Sequence, residues 1–170
     1  LNNLKEKVIV GPIESMSKSK KNTIEPQKII EKYGADSVRL FILSDSPPEK
    51  DIKWTEEGMI ASYKFIQKLW ILHNKIKSIL NSEATTDEKI NKTEELNKFT
   101  NQMIEKISHN IEKFNYNVIV ANLYEIYNFY IKQTNFYIDK NIVKKNYINI
   151  LHLIFPIIPH FAQECLNEMN

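Results

Sequence analysis

At 170 residues, with 42% apolar and 26% charged side chains, the chain suits one compact domain, or a small piece of one joined to a second, and can bury a core. A formal charge of +2 lacks the basic excess of a general nucleic-acid binder, so any RNA contact must come from local patches. The single cysteine, Cys165, excludes an internal disulfide and most thiolate metal sites, and no apolar run reaches the roughly 18–20 residues of a bilayer span.

The opening "LNNLKEKVIV" has neither a signal-peptide shape nor an initiator methionine, and reads as an excerpt of a longer protein. "EKVIVGP" predicts a short strand ending at Gly11-Pro12. Residues 14–25 read as polar loop, with three lysines and three serines packed between Ser15 and Lys21. Pro26 fits the first position of a helix with Ile29, Ile30 and Tyr33 on one side and Gly34 at its end. A second short helix, about Asp36 to Ser44, carries Val38, Phe41 and Ile42. Asp36 and Arg39, the single arginine, sit three positions apart on it, close enough to pair and brace the loop's supporting helices. Pro47-Pro48 prevents that helix from continuing.

From Thr55 the character changes. Thr55 fits an N-cap and Glu56 and Glu57 suit the positive end of the dipole. Met59, Tyr63, Ile66, Leu69, Trp70, Leu72, Ile76 and Leu80 then recur at helical period. "NSEATTDEKINKTEE" reads as a polar surface linker. A further helix shows Leu96, Phe99, Met103, Ile107, Ile111 and Phe114, and another runs through Ile119, Leu123, Ile126 and Tyr130. "YINILHLIFPIIPHFAQECLNEM" predicts two more, broken around Pro156 and Pro159. The expected architecture is mainly α: a truncated mixed α/β piece over 1–53 feeding a helical bundle over 54–170. Trp54 and Trp70 read as packing residues, and Lys64 and Lys68 as a solvated helix face that RNA phosphates could also reach.

Glycines occur only at 11, 34 and 58, so a Walker loop and a dinucleotide fingerprint are both absent. His73, His109, His152 and His160 show no metal-ligand spacing and read as structural. The lysine loop differs from both. Composition alone fits a solvated surface, yet flexible ammonium groups among serines also suit a lid over phosphates.

The string "SMSKS", Ser15 to Ser19, resembles the K-M-S-K-S signature of class I aminoacyl-tRNA synthetases. "YGADSVRLFIL" at 33–43 follows at the spacing of the leucine, isoleucine, valine and methionine enzymes. "SDSPPEKDIKWTEEG" at 44–58 and "ASYKFIQKLW" at 61–70 resemble specifically the leucine enzymes of bacterial type. "FNYNVIVANLYEIYNF" at 114–129 and "FPIIPHFAQE" at 155–164 resemble their helical anticodon-binding domain.

The resemblance implies part of a leucine–tRNA ligase, with a Rossmann-like catalytic domain of which residues 1–53 are the end. The intact enzyme would join leucine and ATP into leucyl-adenylate and pass the leucyl group to tRNA(Leu), with Mg²⁺ required. Lys18 maps onto the second signature lysine, the catalytic cation that steadies the phosphates. Met16, Ser17 and Ser19 map onto the rest of the ATP-binding loop, with Met16 an apolar anchor. Ser15 replaces the first signature lysine, which leaves Lys20 and Lys21 to supply any second charge. The H-I-G-H signature has no counterpart here, so the excerpt alone is expected to be inactive. The single cysteine makes a reducing, cytoplasmic compartment the expectation, the lack of a long apolar run predicts no membrane association, and the protein is expected to be a monomer. Two alternatives stand beside it: a relative charging isoleucine, valine or methionine, and a non-catalytic RNA-binding helical module.

Overall fold

The computed structural model describes residues 11–45, 47, 49–82, 93–133 and 139–169. Among these, all regular structure is helical: α1 (Pro26–Tyr33), α2 (Ala35–Asp45), α3 (Glu56–Asn81), α4 (Thr93–Glu112), α5 (Tyr116–Gln133), α6 (Lys140–Ile154) and α7 (Pro159–Met169). The predicted strand lies outside the described residues except for Gly11 and Pro12, which are in no regular structure.

Local chemistry explains most of the boundaries. Pro26 opens α1, where its missing N–H would have had no partner in any case. Gly34 closes it at φ 81°, donating its N–H to Ile30 O, a backbone region that side chains with a Cβ avoid. Thr55 caps α3 by accepting from Gly58 N at 3.2 Å, with Glu56 and Glu57 in the first turn. Asp139 does the same for α6 with two N–H groups. Thr93, Glu94 and Glu95, read from the sequence as linker, instead open α4.

One apolar residue departs from its expected place. Phe114, assigned by periodicity to the face of α4, is 61% exposed in the turn after it, at φ 56°. Phe114 N–H reaches Ile111 O and Asn115 N–H reaches Asn110 O, the paired bonds of a Schellman closure. Such a closure demands a left-handed residue, and here a phenylalanine takes the position that glycine usually fills.

The main core joins α3 to α7. Leu69, Met103, Ile107, Leu123, Ile150 and Ile158 are all buried in it. Phe99 stacks on Phe129 at 3.7 Å between ring centroids, and Phe65 on Tyr124 at 3.8 Å. Leu40 of α2 is buried in the same core, so α2 packs as a member of the bundle against α3, α5 and α7. A smaller cluster of Tyr33, Phe41 and Met59, with Trp54 edge-on to Phe41, ties α1 and α2 to the start of α3. Trp70 is half-buried, edge-on to Phe161, so both tryptophans pack as the sequence suggests. No helix is long and apolar enough to cross a membrane, among the described residues.

Gly58 sits where α3 meets α2. A Cβ there would stand 2.6 Å from Phe41 Cε2 and 2.8 Å from Thr55 Oγ1. Alanine inside a helix is ordinarily favoured over glycine by roughly 1 kcal/mol. Here Gly58→Ala is expected to reverse that sign and cost about 1–3 kcal/mol through overpacking. The urea midpoint reads it directly, and a raised midpoint would mean that the Phe41 ring moves aside freely.

Candidate functional site

The lysine loop folds back on itself. Ser17 N–H donates to Asn22 Oδ1 at 2.8 Å, and Asn22 Nδ2 donates to Ser15 O at 3.3 Å. Ser17 and Ser19 hydroxyls meet at 3.2 Å, and Lys20 N–H donates to Ser17 Oγ at 3.3 Å. Lys21 N–H returns to Lys18 O, with Lys21 in the left-handed region at φ 53°. A short asparagine amide therefore holds both sides of a tight turn, as Asx residues commonly do.

Among the described residues, one of the loop's three ammonium groups is engaged, and those of Lys18 and Lys21 are not. Lys20 Nζ is tied to Glu14 Oε2 at 2.8 Å, an exposed pair within the loop. Lys18 sits on the turn, exposed, and its ammonium has no hydrogen-bond or ion-pair partner among the described residues. Ser15 is exposed and uses its carbonyl, not its hydroxyl, to hold Asn22. Met16 is 47% exposed, an apolar side chain standing in solvent beside the turn.

Asp36 and Arg39 do not pair with each other, contrary to the spacing argument. Asp36 is buried and accepts from Phe161 N–H at 2.6 Å, from His160 N–H at 3.3 Å and from His160 Nδ1 at 2.9 Å. Arg39 Nη2 donates to Pro156 O at 2.7 Å and its Nε to Ile157 O at 3.0 Å. The reason lies in the α6–α7 corner. A continuous helix there would pair 160 N–H with 156 C=O and 161 N–H with 157 C=O. The break opens both pairs; Asp36 takes the two amides and Arg39 the two carbonyls. Each charge also faces the helix end whose partial charge it complements. Ile158, ahead of Pro159, has no side chain able to cap α7, and that absence is the sequence signal for a cap arriving from elsewhere.

Of the histidines, His73 is fully buried and held at both nitrogens, Nε2 to Glu168 Oε2 at 2.8 Å and Nδ1 to Tyr147 OH at 3.1 Å. An ionised Glu168 makes Nε2 the donor and leaves Nδ1 to accept from Tyr147. His160 belongs to the Asp36 cap, while His109 and His152 are exposed. No group of three His, Cys, Asp or Glu side chains able to hold a metal ion occurs among the described residues. Burial pushes the Cys165 thiol up to about 12, which keeps it protonated and inert. Lys64 and Lys68 are exposed on α3, and a cavity of about 410 Å³ at the other end of that helix is lined by Lys77, Lys140 and Lys144 with Glu168.

Burial lowers the His73 pKa below the ordinary value, outweighing the Glu168 contact that raises it. Lys77 first, then His73, holds the Glu168 carboxyl below the usual carboxylate range. Both groups bind protons less readily folded than unfolded, so their contribution is complete above the unfolded histidine value of about 6.5. It is lost as pH falls through the lowered His73 value, and further once Glu168 protonates. The melting temperature is expected to drop between pH 7 and pH 5, and His73→Gln to flatten that part of the profile. A flat wild-type profile would contradict it.

Two family models match the chain: "tRNA synthetases class I (I, L, M and V)" over residues 12–55 and "Anticodon-binding domain of tRNA ligase" over residues 94–170. A leucine–tRNA ligase of Orientia tsutsugamushi is 39% identical over 157 residues, covering 92% of this chain and 18% of that protein. A leucine–tRNA ligase of Wolbachia pipientis from Culex pipiens is 34% identical over 164 residues, 96% of this chain and 20% of that protein. The chain thus spans about a fifth of the length of the curated relatives it matches. In fold it is similar to the LeuRS of Agrobacterium radiobacter K84 agnB2, solved as a ternary complex with tRNA and LeuAMS. The TM-score is 0.77 at 21% identity, covering 91% of this chain and 21% of that one. Sequence similarity along nearly the whole chain, two family models in the matching order and the shared helical architecture agree: the chain is a homologue of the matching fifth of leucine–tRNA ligases, carrying a class I tRNA synthetase segment followed by an anticodon-binding segment.

Proposed function

We propose that the full-length protein is a leucine–tRNA ligase that activates leucine with ATP and charges tRNA(Leu), acting as a monomer in the cytoplasm. The chain described here supplies the phosphate-steadying loop and the tRNA-docking bundle. The observation that carries the reading is the identity of 34–39% to leucine–tRNA ligases across more than nine-tenths of the chain. Supporting it is the loop itself, which leaves the Lys18 ammonium unengaged on a turn braced by Asn22.

In adenylate formation the leucine carboxylate attacks the α-phosphorus of ATP, the α–β phosphoanhydride bond breaks and pyrophosphate leaves. Negative charge builds on the leaving phosphates. Lys18 meets it as a movable point charge with three donors. Ser17 and Ser19 keep the turn's shape by bonding each other, with Ser17 Oγ also accepting from Lys20 N–H, and Met16 gives the closing loop an apolar foot. Mg²⁺, which the family typically uses, would supply further charge neutralisation at the phosphates; no cluster of three His, Cys, Asp or Glu side chains able to hold a metal ion occurs among the described residues. The bundle docks tRNA through shape and backbone contacts in place of base readout, with exposed lysines such as Lys64 and Lys68 facing phosphates.

The test is amino-acid-dependent pyrophosphate exchange by the full-length protein, followed by charging of tRNA(Leu). Exchange is expected with leucine and not with isoleucine, valine or methionine. Exchange driven by one of those three would overturn the leucine assignment. Binding of tRNA with no exchange for any amino acid would favour a non-catalytic RNA-binding module, a reading to which the charge lost at Ser15 gives some footing.

A further inference from the structure

We infer that Asp36 and Arg39 are positioning residues that set where the Lys18 loop stands relative to the bundle. The inference rests on the proposed function for its activity arm, and on geometry alone for its distance arm. Among the described residues, the hydrogen bonds of the loop's residues 14–22 all stay within the loop. The loop continues directly into α1, which Gly34 joins to α2 through a left-handed turn. The position of the loop therefore follows that of α1 and α2.

Polar ties fix α2 in turn. Five hydrogen bonds run from Asp36 and Arg39 to residues 156–161, spanning 117 to 125 positions of sequence. Apolar packing by Leu40 and Phe41 holds α2 on the bundle through non-directional contacts. The polar ties add directional bonds to four backbone groups of one corner. They register α2 along its axis and about it, and with it the loop that precedes α1. A second tie, Lys32 and Tyr33 to Glu56 Oε1, is long at 3.4 Å for both contacts, so the corner carries the registration.

The experiment uses the full-length protein with other accessible cysteines replaced and spin labels on introduced cysteines. One pair joins the loop to the bundle, at Ser19 and Lys98; a control pair lies within the bundle, at Lys68 and Lys98. All three positions are exposed. The double variant D36N/R39Q keeps side chains of similar shape with hydrogen-bonding groups but removes both charges. It is expected to widen the 19–98 distance distribution while leaving 68–98 unchanged. It is also expected to lower kcat of leucine-dependent exchange by about tenfold, with KM for leucine within about twofold, as misplacement of a transition-state contact requires. Three results overturn the inference: no change in the 19–98 distribution, equal widening of both pairs, or a wider 19–98 distribution with unaltered kcat. If the wild-type protein shows no leucine-dependent exchange, the proposed function fails, and the two distance distributions decide the positioning role without it.

Discussion

Replacing Lys18 by alanine in the full-length protein is expected to slow leucyl-adenylate formation by about 10²–10³-fold, with leucine affinity little changed. The size follows from where the charge acts. In bulk water two unit charges at contact distance gain only about 1 kcal/mol, but in a closed site a positioned cation meeting developing charge is worth about 3–4 kcal/mol. Lys18 is available for that task because nothing within its own loop has claimed it, whereas Lys20 is held by Glu14. Lys20→Ala is therefore expected to change the rate only a fewfold, although the two lysines are nearly adjacent in sequence. Leucine-dependent pyrophosphate exchange under saturating ATP separates the two variants. Equal losses from both would mean that the loop acts through summed charge, and an unchanged Lys18→Ala rate would remove its catalytic role.

The largest expected loss of stability from a single polar side chain lies at Asp36. Asp36→Ala strips the acceptor from Phe161 N–H and His160 N–H at a point where Asp36 and Phe161 are both buried. Lost charge-assisted bonds plus an unsatisfied buried donor put the cost on the order of 3 kcal/mol. Asp36→Asn retains one acceptor oxygen and is expected to lose about half as much. Arg39→Ala is expected to cost about 1 kcal/mol, because Arg39 and the Pro156 end of the corner are exposed and water can replace the guanidinium. Urea unfolding midpoints at fixed m-value rank the three. A loss below about 0.5 kcal/mol for Asp36→Ala would mean that water reaches the amides and satisfies them.

Much of this was legible in the sequence because it depends on near neighbours. Pro26, Gly34 and Thr55 mark helix ends through their own backbone and side-chain chemistry, and each stands where that chemistry predicts. The mainly helical bundle followed from apolar recurrence alone. The identity of the loop did not follow from composition at all; it came from a string of residues in a recognisable order. What failed were inferences that spacing cannot support. An Asp and an Arg three apart are within reach of each other, but spacing does not reveal that a helix break about 120 positions away offers both a stronger partner. Periodicity likewise placed Phe114 on α4, since it carries no information on the turn at which a helix stops. The loop's inner bracing by Asn22 was also missed, because an asparagine in a polar stretch looks like any other loop residue until the turn forms.

The corner between α6 and α7 also has a history in time. Synthesis delivers Asp36 and Arg39 well over a hundred residues before the backbone groups that they serve. Until then α2 carries two ionised side chains with no destination, on a helix whose Leu40 face has only part of its eventual covering. Contacts this distant in sequence close late, after the local helices have formed. The segment that reads as the end of one domain is thus expected to reach its final seat among the last events of folding, when the chain's far portion arrives to receive it.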